Sequence, residues 1–149
     1  MDSKTEVILE QYKMFVEMTD RVSERRLKTN QFYVGLSSVI LAFLAFAFED
    51  LDIGKDQNQL DTVLMAMGAL GLIINIIWFV NIRSYRNLNS GKFDVIHEME
   101  KQLPFNPYDL EWDFIKRKRK KSFYIQLSIV EQYLPVALAI PYLLLLLWN

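Results

Sequence analysis

No cysteine occurs in the 149 residues, and there is a single histidine, His97. The first absence excludes a disulfide framework, a thiol nucleophile and a thiolate metal site. The second leaves too little for a zinc site or a histidine-based triad. Glycine (5) and proline (4) are scarce, and the chain has no glycine-rich phosphate loop, no GxSxG turn and no HExxH pair. Nothing here supports enzymatic chemistry, so neither a catalytic residue nor a cofactor is expected. An excess of one charge is missing too: 17 bases stand against 18 acids, for a net charge of −1. That balance argues against a globally basic nucleic-acid binder and confines any electrostatic attraction to a local patch. A cleavable leader is not expected either, because residues 1–30 carry twelve charges and no apolar segment precedes Phe32. The first apolar segment is therefore expected to remain in the protein as an anchor.

What is present is organised in blocks. Three long runs are almost free of charge: Phe32–Phe48 (17 residues), Thr62–Ile82 (21) and Tyr133–Trp148 (16). The first two have about the length needed to cross the hydrocarbon of a bilayer at a rise of about 1.5 Å per residue. The third is short and extends backwards to Phe123 only by admitting Gln126, Glu131 and Gln132. Any one run alone could be a buried core helix. Three in so short a chain, without amphipathic partners to cover them, predict an integral membrane protein with two to three transmembrane helices. With no Val/Thr/Ile alternation to call for strands, the fold class is all-α, including a small helical domain outside the membrane.

Charge asymmetry predicts orientation. Residues 1–31 carry Lys4, Lys13, Arg21, Arg25, Arg26 and Lys28, and residues 83–122 carry ten bases. The loop 49–61 has Lys55 against Glu49, Asp50, Asp52, Asp56 and Asp61. Basic loops stay in the cytoplasm. Residues 1–31 and 83–122 are thus expected inside, 49–61 outside, and 123–148 as a third span. Tyr33, Trp78, Tyr133, Tyr142 and Trp148 fall near the expected boundaries, where interfacial aromatics sit.

The segment before the first span has no glycine or proline, and Ile8, Tyr12, Phe15 and Val22, flanked by Leu9 and Val16, fall on one helical face. One continuous helix from Thr5 to Phe48 would be roughly 66 Å long. After the second span, Asn89-Ser90-Gly91 reads as a turn and cap. Lys92–Leu103 then forms a short helix with Phe93, Ile96 and Met99 on its buried face, and Pro104 and Pro107 end it. A last helix from Tyr108 or Asp109 holds Trp112, Phe114 and Ile115.

Four features carry candidate functions. Gly35, Ser38, Ala42 and Ala45 share one face of the first span; Gly68, Gly71, Asn75 and Trp78 repeat the spacing in the second. Small residues let helices approach closely and asparagine can bond across the contact, either within the chain or at a subunit interface or pore lining. Glu131 either marks the inner membrane interface or, if Pro135 kinks the helix, faces a water-filled vestibule. The consecutive cations Lys116, Arg117, Lys118, Arg119, Lys120 and Lys121 serve as a topological anchor on anionic lipid or capture a phosphate-rich ligand. His97 beside Glu98 and Glu100 reads as solvated or capping.

The stretch LEQYKMFVEMTDRVSERRLKTNQFYVGLSSVILAFLAF, with RNLNSGKFDVIHEMEKQLPFNPYDLEW after the second span, is similar to small bacterial membrane proteins of antiphage defence loci. These are the SLATT-type two-transmembrane effectors associated with nucleotide-signalling genes, and the membrane component of Hailong systems. The resemblance covers about residues 6–115, and the third apolar run departs from a strict two-span plan. It implies a homo-oligomeric effector in the bacterial plasma membrane. Such an effector conducts ions or depolarises the membrane under the control of a nucleotidyltransferase-type partner or a nucleotide or oligonucleotide signal. A reading from another class is a membrane anchor or adaptor that recruits a soluble partner through residues 1–30 and 90–115.

Overall fold

The computed structural model describes residues 3–49, 57–119 and 127–147. These form four helices: α1 (Ser3–Glu49), α2 (Gln57–Glu100), α3 (Pro107–Arg119) and α4 (Leu127–Leu147), with no strand among the described residues. Helices α1, α2 and α4 are long and apolar enough to cross a membrane by length and composition. The all-α membrane class with three candidate spans is what the charge-free runs predicted.

Helix α1 is unbroken for 47 residues, as the lack of glycine and proline before Gly35 implies. Helix α2 departs from expectation. It runs for 44 residues straight through Asn89-Ser90-Gly91, so there is no turn there and no separate short helix. A lone helical glycine costs only about 1 kcal/mol relative to alanine, and α2 has no proline to force a break. The expected end is real but lies at Glu100, where Gln102 and Leu103 donate to the carbonyls of Met99 and Glu100 in a tight turn (3.0 Å each). Helix α3 begins at Pro107, one or two residues before the expected start at Tyr108 or Asp109, because a proline at the first helical position has no N–H to leave unpaired. Helix α4 includes Pro135 and Pro141 in its interior. The part of the third run from Phe123 to Gln126 lies outside the described residues, as do Trp148 and loop residues 50–56.

The chain divides into two compact units. The first comprises residues 1–26 and 84–127. Here the start of α1 lays its apolar stripe on the end of α2: Val22 and Ile96 are buried, and Tyr12, Phe15, Phe93 and Met99 are half-buried. These are the faces that helical spacing selected. The second unit comprises residues 27–83 and 128–149, where α1, α2 and α4 pack around Ile40, Leu44, Leu64, Trp78, Ile82 and Tyr142. Its outer faces remain strongly apolar; Phe32, Val39, Ile76, Val80 and Leu144 are each more than half exposed. A surface of that kind is matched to lipid or to another copy, not to water.

Candidate functional site

The two small-residue faces meet opposite surroundings in the second unit. On α2, Gly68 and Gly71 are buried. A methyl group at Gly71 would overlap the Tyr142 ring, and one at Gly68 would come within 2.9 Å of Leu146 Cγ and 3.2 Å of the Tyr142 carbonyl. Glycine at these positions lets α4 approach α2 closely, so this face is filled within the chain. On α1, a methyl group at Gly35 would meet nothing within 4 Å. Ser38 is exposed with its hydroxyl donated to the Val34 carbonyl (2.8 Å), and Ala42 and Ala45 are exposed beside it. The α1 face is open.

Polar contacts lock the three helices. Trp78 donates its indole N–H to Asn30 (2.9 Å), and Asn81 donates to the Tyr33 hydroxyl (2.8 Å). The Tyr33 ring stacks on Trp78 with centroids 5.9 Å apart. Tyr142 donates its hydroxyl to the Ser37 carbonyl (2.8 Å). Trp78 and Tyr142 are therefore fully buried core residues and not the interfacial aromatics expected. Their polar ends found partners on α1, which makes burial of such large rings favourable. Tyr133 is exposed, as an interfacial ring would be.

Among the described residues Asn75 makes no bond across helices. Its amide is donated to the Gly71 carbonyl one turn back (2.8 Å), while its Oδ1 and the Ser37 hydroxyl are buried without a hydrogen-bond partner among the described residues. Glu131 is half-buried and engaged in an interaction of its own.

The first unit is organised by one carboxylate. Glu100 is 1% exposed. Its Oε1 accepts from the Tyr12 hydroxyl and the Tyr108 backbone N–H (2.9 Å each), and its Oε2 from the Asp109 N–H (3.1 Å). The end of α2 thus supplies the N-terminal cap of α3, with a negative charge at the positive end of the helix dipole. Tyr12 pays for this in acidity: burial, then the hydrogen bond and charge of Glu100, push its phenol well above the ordinary tyrosine value. Sequence reasoning missed Glu100 because nothing in its spacing from α3 marks it as a cap. The capping box looks for a partner inside the same turn.

Beside this cap lies a cavity of about 740 Å³ bounded by all three helices of the unit. Phe93, Tyr108 and Trp112 wall it, and Asp20, Asp94, Asp109 and Glu111 line it together with His97 and Lys116. His97 Nδ1 lies 3.8 Å from Asp109 Oδ1, a contact at the rim and not a metal arrangement. Among the described residues no cluster of side chains has the makings of a metal site. Of the basic run, Lys116 rests its ammonium over the Trp112 ring (5.4 Å) and Arg117 its guanidinium over Phe114 (4.9 Å). Lys118 and Arg119 complete α3, and Lys120 and Lys121 lie outside the described residues.

No curated protein and no solved structure matches the chain. Residues 9–149 match the octameric membrane protein family (8xMP), and the chain belongs to that family: it is a small oligomeric membrane protein.

Proposed function

We propose that several copies, eight by the family's description, assemble through the open face of α1 into a ring that conducts ions or depolarises the bacterial plasma membrane in a defence response. The observation that carries this reading is the contrast between the two small-residue faces. The α2 face is occupied by Tyr142 and Leu146, whereas a methyl group added at Gly35 would meet nothing within 4 Å outside its own stretch of helix. A stripe that admits close helix approach and has no partner among the described residues fits a neighbouring copy. Three spans are too few to enclose a channel alone, so a conducting path needs cyclic repetition. The SLATT-type resemblance supports the defence role, with residues 1–31 and 83–122 in the cytoplasm as the segments that receive a signal. A nucleotidyltransferase-type partner or an oligonucleotide would meet the run from Lys116 to Lys121, where the positive charge lies. The membrane-anchor reading is favoured by the exposed apolar Phe105 and Phe114 of the first unit, which would suit a soluble partner.

Gly35→Leu and Ser38→Leu separate these readings, because both place bulk on the open face at exposed positions of α1. Purified in mild detergent, the parent is expected to run as a discrete ring-sized oligomer and to pass current in planar bilayers. Both variants should insert normally, fall to lower mass and lose conductance. Single cysteines at Ser3, Asn58 and Ser90 should be labelled from outside only at Asn58. An intact oligomer in both variants would overturn the α1 interface, and a parent oligomer without conductance would leave the anchor reading standing.

A further inference from the structure

The cavity of the first unit is not accounted for by assembly or by the basic run. Its chemistry is specific. Four carboxylates line it, Asp20 from α1, Asp94 from α2, and Asp109 and Glu111 from α3, against one lysine. Three aromatic rings, Phe93, Tyr108 and Trp112, stand between them, with Phe93 and Tyr108 edge to face at 5.6 Å. Asp94 has no hydrogen bond or ion pair among the described residues. The walls are fixed, since Glu100 pins the start of α3 and Tyr12 at one end. A volume of about 740 Å³ is within the range of small-molecule sites.

We propose that this cavity binds a small organic cation, an ammonium-bearing ligand of the linear polyamine type. Aromatic faces attract cations through the ring quadrupole, and convergent carboxylates supply the countercharge. The protein shows this mode of contact in miniature, because its own Lys116 ammonium sits over the Trp112 ring at the cavity wall. The local field has the matching sign: Tyr108 is held above the ordinary tyrosine value by burial first, then by the charges of Asp20, Glu111 and Glu100. A polyanionic ligand would be repelled by that field. A linear amine suits the arrangement better than a single point charge, because the carboxylates come from three separate helices and need several charges spaced along a stem. This assignment concerns ligand binding only and stands apart from conductance.

Equilibrium dialysis of labelled spermidine against the full-length oligomer in detergent tests it. Saturable binding at one site per chain is expected, weakening as salt is raised. Asp20→Asn combined with Asp94→Asn should lower affinity at least tenfold. Both side chains are exposed, so helix content by circular dichroism should match the parent. Trp112→Leu, which keeps an apolar wall but removes the strongest cation-binding face, should lower affinity about threefold to tenfold. Glu6→Gln with Glu10→Gln, the same charge change elsewhere on α1, should leave binding unaltered. Absence of saturable binding would overturn the proposal. So would equal losses in the control pair, which would reduce the effect to net charge. Binding that appears only after Lys118, Arg119 and Lys120 are changed to Gln would also overturn it, since the cavity would then hold a neighbouring copy's basic run.

Discussion

Replacing Gly71 with alanine adds a single methyl group, and the structure puts that methyl inside the space of the Tyr142 ring. The ring cannot simply swing aside. It is fully buried, and its hydroxyl is tied to the Ser37 carbonyl on α1 at 2.8 Å. Either the ring tilts and loosens that bond, worth about 0.6 kcal/mol in a membrane setting, or α4 moves outward and gives up packing along its length. Overpacking of this kind costs about 1–3 kcal/mol. The better helix propensity of alanine returns up to about 1 kcal/mol. A net loss of about 1 kcal/mol follows, or about fivefold in the ratio of folded to unfolded protein. Gly35→Ala is the internal control, because the added methyl meets nothing within 4 Å of its chain. It should be neutral or stabilising by up to about 1 kcal/mol. The assay is denaturation in detergent of protein held monomeric, with Trp112 and Trp148 changed to Phe so that the emission reports Trp78, whose indole bond to Asn30 breaks when the unit opens. Tyr142→Leu should be destabilising alone yet soften the effect of Gly71→Ala, giving a coupling of at least about 0.5 kcal/mol in a double-mutant cycle. A Gly71→Ala protein as stable as the parent, with additive behaviour in the cycle, would refute the α2–α4 contact.

Glu100→Ala removes the acceptor of three hydrogen bonds and should destabilise the first unit by about 3 kcal/mol. Hydrogen exchange should show the amides of Tyr108 and Asp109 losing protection first, and unchanged protection there would dismiss the cap. Alkaline titration tests the raised phenols of Tyr12 and Tyr108. The folded state holds those protons more tightly than the unfolded chain, whose tyrosines ionise near pH 10. Their contribution is therefore complete below about pH 10 and is lost as pH rises towards the folded values. The unfolding midpoint should fall above about pH 10 and fall less steeply in Tyr12→Phe; an identical slope in both proteins would contradict the assignment.

The parts of the fold that were legible depend on properties the chain carries locally. Absence of charge over about twenty residues is a statement about solvent, and it identified the three apolar helices without reference to one another. Helical spacing of Phe93, Ile96 and Met99 likewise selected a face that is buried at Ile96 and half-buried at the other two. Where local signals conflicted, the weaker one misled. Asn89-Ser90-Gly91 has the composition of a turn, but Gly91 lies in open space inside a continuous helix. The cost of one glycine is small against the hydrogen-bond ladder on either side.

The candidate site was legible only to the level of residue type, and the reason is geometric. Gly35 with Ser38 and Gly68 with Gly71 are the same pattern in sequence, spaced alike on helices of similar composition. One pair is open and the other is filled, because Tyr142 and Leu146 reach α2 from more than seventy residues away in the chain. The same separation concealed Trp78 and Tyr142. An aromatic ring with a polar end satisfies both an interfacial and a buried position, and the choice is made by whether Asn30 or Ser37 stands opposite. Glu100 belongs to this class as well. As a glutamate at the end of a polar helix it looks solvated, and it is buried only because the turn at 101–106 brings the first amides of α3 back onto its carboxylate. In each case the side chain states what it can bond and only the tertiary arrangement states with what. That is why the α1 face, open among the described residues, is where a second copy fits.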